Sequence, residues 1–246
     1  MAGTAVRGRL SWQTATVSSV RDETPRARTL VLDVPGWPRP SSGKQRAGQH
    51  LDVRLTAEDG YQAERSYSIA SAPGEPLAIT VERLDDGEVS PYLTQELRPG
   101  DAFEVRGPIG GYFVWEPESG GPLMLLAGGS GIAPLRAILR SGSVPVRLLY
   151  SARSWEDVIY RAELGALSGG ALRVTYTLTR SQPPGWTGYA RRVDEQMLAE
   201  VAWPVAQEPL AYVCGPTSFV EAASAGLVRL GYPPLRVKTE RFGATG

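Results

Sequence analysis

A small antiparallel β-barrel followed by a parallel-sheet α/β domain is the architecture this sequence predicts, and three observations predict it. Up to Glu116 the chain is a series of short segments that alternate apolar and polar residues, with turn signals between them. Beyond the charged, turn-rich link Glu116-Pro-Glu-Ser-Gly-Gly-Pro122, apolar strands alternate with helical segments. The length, 246 residues, leaves room for two compact units at ~100–200 residues each. The expected division is residues 1–117 and 118–246.

The period-two segments begin with Thr14–Val20 and Arg28–Leu32, followed by Leu51, Val53 and Leu55 alternating with Asp52 and Arg54. Further strands are expected at Ser66–Ile69, Leu77–Arg83 and Ala102–Arg106, separated by Pro73-Gly74, Asp86-Gly87 and Pro99-Gly100. Even spacing of short strands favours a barrel. One helix interrupts the series: Ser90 and Pro91 form an N-cap and N1 pair, and Tyr92, Leu93 and Leu97 recur at helical spacing. In the second half the strands are Leu123–Ala127, Val146–Tyr150, Leu172–Leu178, Leu210–Val213 and Leu235–Thr239. Helices are expected to start near Pro134, Ser154, Asp194 and Ser218, the last through a capping box, Ser218-Phe-Val-Glu221.

Composition excludes several function classes. Twenty-six basic residues balance 26 acidic ones, which disfavours a nucleic-acid or anionic-membrane surface. One cysteine, Cys214, and one histidine, His50, supply neither a four-thiolate cluster nor an ordinary zinc site, so no metal centre is expected. The stretch from Met1 to Asp22 has Arg7 and Arg9 but no apolar core, and the long uncharged run Ser119–Leu135 is broken by glycines and prolines. No membrane insertion and a cytoplasmic location are expected.

Two local patterns point to chemistry. Strand Leu123–Ala127 runs into Gly128-Gly-Ser-Gly131 and Ile132-Ala-Pro-Leu135, a glycine loop that opens a helix. There Gly129, Ser130, Gly131 and Ile132 present backbone N–H groups to a phosphate. Pro134 stands where a full dinucleotide fingerprint has its third glycine, and the same loop also suits a plain strand-to-helix turn. On an earlier strand, Arg65 and Tyr67 share one face, and Ser66 and Ser68 the other. The grouping suits a ligand with phosphates and a flat ring, and equally an exposed strand with polar and aromatic pairs.

Taken together, Arg65-Ser-Tyr-Ser-Ile-Ala-Ser71, Gly87-Glu-Val-Ser90, Gly107-Pro-Ile-Gly110, Gly128-Gly-Ser-Gly-Ile-Ala-Pro134 and Cys214-Gly-Pro216 fall in an order that resembles the ferredoxin–NADP reductase family. The resemblance implies a FAD-binding barrel, with FMN the less favoured flavin, and a nicotinamide-nucleotide domain. It implies that Arg65 binds the flavin phosphates, Tyr67 packs against the ring system and Ser68 bonds near its reactive nitrogen. Gly87, Val89 and Ser90 would offer donors to the same pyrophosphate, and Cys214, Gly215 and Pro216 would lie beside nicotinamide, although a lone cysteine also suits an inert core. Thr239-Glu-Arg-Phe-Gly243 resembles the family's terminal segment, which implies a flavin-side place for Glu240 and Phe242; a solvated tail is the other reading. Ser68, Cys214 and Glu240 are the candidate catalytic groups, while His50 reads as structural.

The end of the second α/β strand, Tyr150-Ser151-Ala-Arg153, together with Arg180 and the Arg191-Arg192 pair, resembles a 2′-phosphate site, so NADPH is expected in preference to NADH. The implied activity is hydride transfer from NADPH to FAD, then electron delivery to a separate acceptor protein such as a ferredoxin. Arg54 and Arg83 are candidates for steering it. A free-flavin reductase and a non-catalytic electron-transfer or nucleotide-sensing subunit are the alternatives.

Overall fold

The computed structural model describes residues 10–38 and 45–242. Arg7 and Arg9 of the N-terminal reading, and Gly243 of the terminal motif, lie outside them. Six strands build the first half: β1 (Gln13–Thr24), β2 (Ala27–Asp33), β3 (His50–Thr56), β4 (Gln62–Ser68), β5 (Ala78–Glu82) and β6 (Ala102–Ile109). They form one antiparallel sheet in the order β4-β3-β6-β1-β2-β5. Its two edges meet where Ile69 bridges Ile79 and the Ala70 N–H donates to the Ala78 carbonyl at 2.8 Å, which closes the barrel. Irregularities in β1 at Val17/Ser19 and Asp22/Thr24 bend this long strand around it. Leu30, Leu51, Val53, Ile79, Val81 and Val105 fill the interior without exposure to solvent.

The second half is a five-stranded, wholly parallel sheet: β7 (Leu123–Gly128), β8 (Val146–Ala152), β9 (Leu172–Leu178), β10 (Leu210–Pro216) and β11 (Val237–Phe242), ordered β11-β10-β7-β8-β9. Every residue of central β7 is buried, as a strand covered on both faces requires. Helices α1 (Ile132–Leu139), α2 (Arg161–Leu167), α3 (Glu195–Val201) and α4 (Thr217–Arg229) pack on its two faces. None of the described helices is long and apolar enough to cross a membrane.

Three local expectations are corrected. The helix after Ser90 is a short π-helical turn, Tyr92–Glu96, and the Ser90 hydroxyl caps nothing; it takes the Leu84 N–H at 3.0 Å and ties the preceding loop together. Helix α2 starts at Arg161 rather than near Ser154, because residues 154–160 form a loop that ends on Tyr160 in the left-handed region (φ 59°). Helix α4 has no side-chain cap, so Ser218 and Glu221 make no capping box; Asp194 does cap α3, accepting the Met197 N–H at 2.8 Å.

Side chains join the halves. The segment after β6 belongs physically to both: the Trp115 N–H donates to Ala47, while the Val114 carbonyl accepts from Tyr212 (2.9 Å) and Lys238 (3.0 Å). From α1, Arg136 donates to the Ala70 carbonyl at 2.8 Å and pairs with Glu163, and Arg140 reaches Glu75 across the boundary. The buried Tyr160 hydroxyl bonds Thr80 of β5, which bonds Thr29 at 2.7 Å, which in turn donates to Glu23.

Candidate functional site

Parallel pairing gathers the second-domain candidates at the carboxyl edge of the sheet, where open α/β sheets bind ligands. In register, Gly128 lies against Ser151, Cys214 against both Ala127 and Glu240, and Pro216 against Phe242. The glycine loop leaves β7 at this edge. Gly129 takes φ +53°, and a Cβ on Gly131 would lie 2.1 Å from the Cys214 carbonyl oxygen, so only hydrogen fits there. A Cβ on Gly128 or Gly215 would come within 2.9 Å of the Phe219 ring, and one on Gly215 within 3.0 Å of Gly128 Cα, which makes Gly215 a packing position between β10, β7 and α4.

Cys214 is fully buried, and burial together with the adjacent Glu240 pushes its thiol well above the ordinary range, so it is no thiolate nucleophile. Burial raises Glu240 to about 7. Its Oε2 is enclosed without a hydrogen-bond partner among the described residues, a carboxyl group that takes up a proton easily near neutrality. The terminal segment is strand to Phe242, which packs partly buried against the core, so the solvated-tail reading is corrected.

On the barrel, Arg65, Tyr67 and Ser68 lie within β4. Tyr67 packs half-buried on the barrel core, and desolvation raises its hydroxyl above the usual range. Ser68 stands opposite His50, which burial holds below its ordinary pKa. Arg65 is exposed, donating to the Glu64 carbonyl at 2.7 Å and to Glu88 Oε2 at 2.9 Å. Glu88 belongs to the Gly87–Ser90 loop, in which Val89 is buried. The N–H groups of Glu88 and Val89 find no protein acceptor among the described residues. An arginine on β4 and two such donors in the neighbouring loop suit a phosphate group; at Gly129–Gly131 the Ser130 N–H already meets Glu82 Oε2, so a phosphate bound there would take the place of this carboxylate. Of the other donors expected in the Gly87–Ser90 loop, the Ser90 hydroxyl is engaged with the Leu84 N–H and the Gly87 N–H donates to the Leu84 carbonyl at 3.0 Å.

Arg153 and Arg180 end neighbouring strands, the Arg180 N–H donating to the Arg153 carbonyl at 2.8 Å. Both are exposed, and no carboxylate pairs with either among the described residues. Arg191 differs: it is held by Asp194 at 2.6 Å. Arg54 and Arg83 are likewise engaged, with Glu104 at 2.6 Å and with Asp85 at 3.0 Å, which Arg83 shares with Arg26. Sequence reasoning missed Glu82, whose Oε2 accepts the Ser130 N–H at 3.3 Å across the domain boundary, and Glu88. Nothing local announces Glu82; Glu88 stood inside a motif read only for the donors of Gly87, Val89 and Ser90.

Two family models match this chain: an oxidoreductase FAD-binding domain over residues 16–114 and an oxidoreductase NAD-binding domain over residues 125–225. Ferredoxin–NADP reductase B of Sorangium cellulosum is 35% identical over 211 residues, which are 80% of this chain and 84% of that one. The glycine betaine monooxygenase reductase subunit of Chromohalobacter salexigens is 32% identical over 80% of this chain, which spans 56% of it. The ferredoxin reductase component of the 3-ketosteroid-9-alpha-monooxygenase of Rhodococcus rhodochrous is 32% identical over 93% of this chain, which spans 64% of it. Among solved structures, the FAD/NAD-binding domain of a Vibrio cholerae nitric oxide dioxygenase superposes with a TM-score of 0.82 at 24% identity, over 94% of this chain and 99% of that one. A cytochrome P450 reductase from Amycolatopsis gives 0.80 at 27% identity, over 99% of this chain and 74% of that one.

Proposed function

Because this chain belongs to the ferredoxin–NADP reductase family of FAD- and NAD-binding oxidoreductases, we propose that it is an NADPH-preferring reductase whose separate electron acceptor is a ferredoxin-type protein. We assign its flavin barrel to residues 1–117 and its nucleotide domain to residues 118–246, and place it in the cytoplasm. When bound, FAD would supply the link between two-electron hydride transfer from the nicotinamide nucleotide and one-electron delivery to the acceptor. The observation that carries the reading is the meeting, at one sheet edge, of the glycine loop with Cys214 and Glu240.

The chain's own residues divide the work. Arg65 and the Glu88 and Val89 N–H groups hold the flavin phosphates, while Tyr67 and Phe242 pack on the flat ring and Ser68 bonds near its reactive nitrogen. The glycine loop receives the phosphates of the nucleotide beside Ser151, the Ser130 N–H exchanging Glu82 for them, whereas the Ile132 N–H stays within the turn on the Gly129 and Ser130 carbonyls. Cys214, with Gly215 and Pro216, forms a neutral, water-excluding wall, and Glu240 holds a proton at Oε2 beside it.

The NADPH preference is supported by Arg153 and Arg180, which stand side by side without acidic partners, where an NAD-specific site places an acid. Replacing either by Ala is expected to raise the NADPH KM by about tenfold and to leave the NADH KM nearly unchanged. Equal losses for both nucleotides, measured by steady-state kinetics, would overturn the assignment. Reduction of cytochrome c is expected to require added ferredoxin, and turnover fastest with free flavin would replace the acceptor proposed here.

A further inference from the structure

The place of Glu88 has a meaning beyond phosphate binding. Arg65 spends its fork on two acceptors, the Glu64 carbonyl and Glu88 Oε2. The second carboxylate oxygen, Oε1, takes the hydroxyl of Tyr61 at 2.8 Å, so the carboxylate is aimed at Arg65 and anchored from the strand start. Glu88 is also part of the loop in which its own N–H and that of Val89 have no protein acceptor among the described residues. Its side chain therefore brings a negative charge to the same arginine that a flavin phosphate needs. Both partners of the pair are about half exposed, 53% for Arg65 and 48% for Glu88, and an exposed ion pair is weak enough to be exchanged.

We propose that Glu88 is a built-in competitor that sets the affinity for phosphate-bearing flavins: the phosphate displaces it from Arg65, and Tyr61 retains the released carboxylate. The inference rests on the reading that Arg65 receives the flavin phosphate. It predicts selectivity as well as strength, because a flavin without phosphate never contests the arginine.

The test is a titration of apoprotein with FAD, FMN and riboflavin, followed by flavin fluorescence, in the wild type, Glu88→Gln, Arg65→Ala and the double variant. Glu88→Gln is expected to bind FAD and FMN about fivefold more tightly and riboflavin unchanged. Arg65→Ala is expected to weaken FAD binding by about tenfold or more, and the double variant to show no tightening relative to Arg65→Ala. If Arg65→Ala weakens FAD binding while Glu88→Gln leaves it unchanged or weaker, the competitor is overturned and the phosphate reading stands. Tightening that extends equally to riboflavin, or persists without Arg65, overturns it as well. FAD affinity unaffected by Arg65→Ala overturns the phosphate reading, and the competitor with it.

Discussion

Glu240 is an acid kept from water with a bare oxygen, and its titration leaves a mark on stability. The side chain ionises near 4.5 when free and about 7 when folded. Below the lower value both states hold the proton. Between the two, the unfolded chain releases it while the folded protein keeps it, so stability falls as pH rises through this window and levels off above it. The loss is on the order of 3 kcal/mol. Glu240→Gln, neutral at every pH, is expected to lack that component: denaturant titrations at pH 5 and pH 8 would differ less in the variant than in the wild type, and the variant would be the more stable at pH 8. An unchanged pH slope would show that Glu240 is solvated. Cys214 and Glu240 were each legible as motif members, but their contact was not, because it depends on the register of β10 against β11.

At the level of elements, strand patterns read well because alternation and continuous apolar runs report burial directly, as in β3 and β7. Helix starts read less well. Ser154 and Ser218 are good capping residues in isolation, yet the chain around the first folds into a loop packed by the buried Tyr160, and α4 starts straight from β10 at Pro216. The glycine loop read correctly in place but for an incomplete reason. Gly131 is required as much by the Cys214 carbonyl as by any phosphate, so Gly131→Ala is expected to cost about 2–3 kcal/mol in urea denaturation even without nucleotide. Gly165 in α2 makes the control, since a Cβ there meets nothing within 4 Å; Gly165→Ala is expected to gain up to about 1 kcal/mol.

Across the whole molecule, the two halves are joined by polar bonds as well as by packing. The Tyr160–Thr80–Thr29 chain and the Arg136 bond to Ala70 fix how the barrel faces the nucleotide domain. None of this was readable beforehand, since a hydroxyl 80 residues from its partner carries no local signal. Tyr160→Phe leaves Thr80 and Thr29 bonded to each other and is expected to cost about 1–2 kcal/mol. Combined with Arg136→Ala it is expected to split a single calorimetric transition into two as the halves melt separately; one sharp transition in the double variant would mean that packing and the remaining polar bonds, such as Arg140 to Glu75 and Tyr212 to Val114, suffice to couple them.

The strand order has a consequence for synthesis on the ribosome. Central β7 emerges early, with β8 and β9 soon after on one side, but the other side of the sheet waits for β10 and then β11. Before β11 pairs, the barrel and four of the five parallel strands can be complete while β10 presents an unpaired edge and Glu240 has no place beside Cys214. Such a chain can be compact and still lack the acid beside Cys214. Glu240 therefore joins Cys214 only through the pairing of β11 with β10, after the scaffold on the other side of β10 is in place.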